Sequence, residues 1–87
     1  MAKIDTIVTQ MRANPTNVLF ADACKVATFY FSEPRQSGGS HRVWKMPWPG
    51  DPRVNLQRGE GGKAKAYQVR QLIKAIDRLE AEKGHVR

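Results

Sequence analysis

Apolar residues recur along this chain with two different periods, and the change between them separates helical from extended segments. Ile4, Ile7, Val8 and Met11 follow the i, i+3, i+4, i+7 spacing of a short amphipathic helix, predicted over residues 2–13. It should stop before Asn14-Pro15, because the proline ring crowds the preceding residue out of helical geometry. Thr16 or Asn17 can then cap a second helix by accepting a free backbone N–H. Leu19, Phe20, Ala23, Val26, Ala27 and Tyr30 form its apolar stripe, which predicts a helix to about residue 29.

The period then falls to two. Residues 31–36 suit a first strand, which Pro34 confines to a sheet edge or a bulge. Ser37-Gly38-Gly39 reads as a turn, and residues 40–46 as a second strand. The run Pro47-Trp48-Pro49-Gly50-Asp51-Pro52 cannot continue it. Residues 53–58 alternate Val54 and Leu56 with Asn55 and Gln57, the pattern of a half-buried third strand. Gly59-Glu60-Gly61-Gly62-Lys63 reads as a flexible basic loop. Val69, Leu72, Ile73, Ile76 and Leu79 then line one face of a last helix over residues 66–81, whose other face carries Gln68, Arg70, Gln71, Lys74, Asp77 and Arg78. Gly84 should end it and leave residues 84–87 as a frayed tail.

The resulting order is helix, helix, three antiparallel strands, helix. Apolar stripes must cover one face of the sheet, so a two-layer α+β fold is expected, with the helices on one face and the other open to solvent. At 87 residues the chain makes one domain. Residues 17–83 form its expected core, with 1–13 as an additional N-terminal helix. A domain of this size buries only roughly 60% of the surface of its unfolded chain, so a functional site should be shallow.

Alternation along the strands sorts side chains by face. With Val54 and Leu56 toward the helices, Asn55 and Gln57 turn outward. Trp44 and Met46 are the stronger core candidates of the second strand, which puts His41 and Lys45 on the open face. Val43 fits this arrangement less well, and a bulge near Gly39 would invert it. Trp48 reads as a packing residue and Phe29, Tyr30 and Phe31 as core, while Tyr67 is ambiguous.

Charge narrows the partner. Fifteen Lys and Arg stand against eight Asp and Glu, a formal charge of +7, so an anion is expected. No apolar run approaches the length of a membrane span, no signal-peptide pattern is present, and the cations do not gather on one amphipathic helix. A cytoplasmic nucleic acid or an acidic protein is therefore the expected partner, with no membrane and no small-molecule cofactor. Cys24 is the one cysteine, which excludes an internal disulfide; with two distant histidines it cannot build a zinc site. It reads as a small apolar helix residue.

The ordinary reading of His41 is an exposed strand histidine. Against it stand a Gly-rich turn that lets another backbone approach, Arg42 and Lys45 to attract a phosphate, and a strand as a firm mount. Lys63 and Lys65, ahead of the last helix, suit a phosphate at a helix start. The alternative there is a solvated basic loop. Neither a dinucleotide fingerprint nor a P-loop is matched.

Gly39-Ser40-His41-Arg42-Val43-Trp44-Lys45 resembles the HicA family of toxins from bacterial type II toxin–antitoxin pairs. The similarity continues through Pro49, Val54-Asn55-Leu56-Gln57, and Gly62-Lys63-Ala64-Lys65-Ala66-Tyr67-Gln68-Val69-Arg70-Gln71. The resemblance implies a double-stranded-RNA-binding-domain-like fold and an endoribonuclease that degrades mRNA until a HicB-type antitoxin covers its site. It implies His41 as the catalytic residue. It also suggests Lys63 and Lys65 as contacts to RNA phosphates, beside Arg42, Lys45 and Gln57. The N-terminal helix is a departure from the family, which is usually shorter; it would serve the antitoxin or oligomerisation.

RNA carries its own nucleophile, so a histidine can cut it without metal by taking the 2′-hydroxyl proton. Lys45 or Arg42 would then offset charge on the phosphoryl oxygens. His85, on the tail, is a poor general acid. Two other readings remain: a non-catalytic double-stranded-RNA-binding module, and a DNA-binding regulator reading bases with the last helix. The second is weak, because Ala66, Tyr67 and Gln68 offer little to base edges.

Overall fold

The computed structural model of the protein describes residues 3–36, 41–48 and 53–82. The predicted turn at 37–39, residue 40 of the predicted second strand, residues 49–52 of the proline-rich connection and the chain from 83 onward lie outside them. Helix α1 spans Ile4–Ala13 and α2 spans Phe20–Phe31. Strands β1 (Arg35–Gln36), β2 (Arg42–Lys45) and β3 (Arg53–Leu56) follow. A 3-10 turn at Glu60–Gly62 then leads into α3, Ala66–Glu82. The expected α+β class is present, with three helices and an antiparallel sheet. That sheet is carried by the β2–β3 ladder, whose register sets Arg42 opposite Leu56 and Lys45 opposite Arg53; β1 adds a two-residue pairing to β2.

The strands are shorter than the period suggested, and for the first of them part of the reason lies in α2. Phe20, Ala23, Val26, Ala27 and Phe31 keep helical spacing and are buried, so the helix runs on to Phe31 and removes it from the first strand. Phe31 meets Trp48 edge to face, with centroids 6.3 Å apart. That contact gives Trp48 the packing role expected of it. Phe29 departs from its expected place in the core. The helix turns it away from the apolar stripe, and it is 65% exposed.

The start of α2 also differs. Leu19 occupies the cap position without a side-chain bond, while Thr16 Oγ1 donates to Asn14 Oδ1 at 2.9 Å. The preceding backbone is engaged in tertiary pairing instead. Ala64 N–H donates to Val18 O at 2.8 Å, and Leu19 bridges Lys63. The segment expected as a flexible loop is thereby tied to the front of α2. Gly61 and Gly62 adopt φ of 66° and 74° there, a left-handed geometry that glycine takes without a Cβ clash.

Three helices and the inner sheet face share one core, with Ile7, Met11, Val26, Trp44, Leu56, Val69, Leu72 and Ile76 among its buried residues. Helix α1 belongs to it, since Ile7 and Met11 are covered by neighbouring elements. Arg12 of α1 donates to both carboxylate oxygens of Asp77 on α3, at 2.6 and 3.3 Å. Both partners are about half exposed, so the pair contributes at most about 1 kcal/mol; burial holds α1 in place.

Candidate nucleic-acid interface

Residues directly opposite in an antiparallel ladder point to the same face. Trp44, Met46, Val54 and Leu56 are buried on the helix side, as parity predicted. The other face therefore carries the row Arg35, Val43 and Asn55 and the row Lys45 and Arg53. Continuing the register one step beyond the ladder sets half-buried His41 opposite Gln57. Among the described strand residues, every charged side chain on this face is a cation.

The end of β3 beside His41 is anchored from α3. Gln68 is 4% exposed, and its Oε1 accepts the backbone N–H of Gln57 at 2.8 Å. Gln68 had been expected on the polar face of the last helix. It turns inward, where its carbonyl satisfies this backbone donor at the strand end. Just past this point Arg58 bridges Ala64. Alternation about buried Ala64 turns exposed Lys63 and Lys65 to the side that Gln57 faces. The register thus puts these two lysines on the side shared by Gln57 and His41, in a depression that Thr16, Gly59 and Glu60 also line.

Lys45 shares the face but lies four residues along β2, roughly 13 Å from His41 at the ordinary strand rise. Arg42 stands apart from both. It shares the helix side with Leu56, its guanidinium lies 5.5 Å from the Phe20 ring centroid, and Nη1 donates to Cys24 Sγ at 3.9 Å. Arg58 stacks on the same ring at 5.4 Å. Burial pushes the Cys24 thiol pKa up, and the neighbouring Arg42 only partly offsets this. Arg35 and Arg53 were missed as face residues. Parity with Asn55 and Gln57 already singles out Arg53, whereas Arg35 needs the β1–β2 register.

Among the described residues, no three His, Cys, Asp or Glu side chains group as a metal site, and no helix is long and apolar enough to cross a membrane. No family profile, curated protein or solved structure matches this chain.

Proposed function

We propose that the chain is a metal-independent endoribonuclease of HicA type, a toxin that degrades mRNA in the cytoplasm and is silenced by a HicB-type antitoxin. The observation that carries this reading is a half-buried imidazole at the end of the middle strand, on a sheet face whose charged residues, among the described strand residues, are cations. In this reading the fold is of the double-stranded-RNA-binding-domain kind, with a three-stranded sheet and α1 added to its helical layer.

His41 takes the proton of a ribose 2′-hydroxyl as that oxygen attacks the adjacent phosphorus. The bond from phosphorus to the 5′ oxygen breaks, water protonates the leaving oxygen, and the products are a 2′,3′-cyclic phosphate and a 5′-hydroxyl. Lys63, Lys65 and Gln57, on the side that His41 shares, hold the phosphate being cut. Lys45 serves a phosphate farther along the strand. Arg42, held against Phe20 and Cys24 on the helix side of the middle strand, packs α2 onto the sheet and does not serve the reacting phosphate.

Expression of wild type and His41→Ala side by side tests this, reading growth and the integrity of total RNA. Wild type should arrest growth and fragment mRNA, and the variant should do neither while accumulating as folded protein. A toxic, RNA-degrading His41→Ala protein would refute the assignment. Purified protein that binds RNA and leaves it whole would favour the non-catalytic module.

A further inference from the structure

The reaction proposed above leaves a groove unused between the free edge of β3 and α3. It holds about 550 Å³ and is lined by Arg53, Asn55, Gln71, Lys74 and Arg78, with Trp48 at its base. No acidic residue lines it among those described. Arg78 is held against its wall, 4.5 Å from the Trp48 ring centroid, with Nε donating to Glu82 Oε2 at 3.1 Å. Lys74 is exposed on the neighbouring turn of α3.

Two of these residues belong to both surfaces. Asn55 sits in the row of Val43, and Arg53 sits opposite Lys45, so the groove begins where the open face ends. We propose that this groove is the exit track for single-stranded RNA. From His41 the strand passes Lys45 and Arg53, crosses the edge of β3, and lays its backbone between Lys74 and Arg78. Gln71 and Asn55 offer amides to its sugars or bases. This proposal rests on the RNA-cutting reading. An acidic peptide would also suit the charge, but continuity with the His41 face favours RNA. The turn over β3 favours a single strand, because a duplex resists sharp bending.

The test uses the full chain carrying His41→Ala, so that the RNA stays intact. Binding is measured with labelled single strands of about four and about twelve nucleotides, a duplex of the longer length, and a poly-glutamate peptide. Lys25→Glu, on the exposed side of α2, makes the same charge change away from the groove. Adding Lys74→Glu should weaken the longer strand about tenfold more than Lys25→Glu does, and lower its salt slope by about one. For the short strand and the duplex the two variants should match. Equal losses for every RNA would overturn the groove, as would a loss confined to poly-glutamate. If wild type still cuts RNA through His41, equal losses leave the nuclease standing. Wild type that cuts no RNA removes both proposals.

Discussion

Gln68 shows how a single side chain can organise a site it does not enter. Its carbonyl takes the N–H of Gln57, the residue that stands opposite His41 just past the end of β3. Gln68→Leu should therefore strand a buried donor at a cost of about 1–3 kcal/mol. The Gln57 amide should also lose its protection from hydrogen exchange; unchanged protection would show that the contact holds nothing. The helical period could not reveal this, because it ranks a glutamine by polarity and carries no record of a distant backbone donor. Cys24 was legible as a small apolar helix residue, and its chemistry follows from burial. With its folded pKa raised, any stability it adds is complete below the unfolded thiol value and declines as pH rises through the alkaline range. Alkylation at pH 8 should be slower than for free cysteine, and an equal rate would contradict the raised pKa of this half-buried thiol.

At the level of elements, long amphipathic segments were readable, and only α2 had its ends misplaced. The last helix was expected over 66–81 and spans Ala66–Glu82, because five apolar positions fix its phase. The front of α2 was misread. Capping preference at Thr16 and Asn17 yields to backbone pairing of Val18 and Leu19 with residues 63 and 64, which are remote in sequence. The far end of α2 stores strain. Ser32 has φ 74° and ψ −165°, a region nearly reserved for glycine. Ser32→Gly should stabilise the fold by about 1 kcal/mol, raising the melting temperature by roughly 4–8 °C. A lower melting temperature would mean that the serine side chain contributes more than its backbone costs.

Across the whole molecule, charge and parity together made most of the candidate site legible. Strand alternation placed Trp44 and Met46 inside and Lys45 outside, and the burial pattern agrees. Arg42 is the instructive exception. Counted as a phosphate contact because it follows His41 in sequence, it lies on the opposite face, as its own parity with Trp44 required. The groove beside α3 was invisible for a different reason: it is made by two elements whose contact no local pattern encodes. Helix α1, expected as an addition, shares the core through Ile7 and Met11. The central claim is that one imidazole on this open face cuts RNA unaided by metal. Cleavage of a defined RNA by purified wild type and His41→Ala, with and without chelator, tests it most directly. The account predicts 2′,3′-cyclic phosphate ends from wild type at the same rate in chelator, and no cleavage from a folded His41→Ala protein. Equal cleavage by the two proteins, or cleavage abolished by chelator, would contradict it.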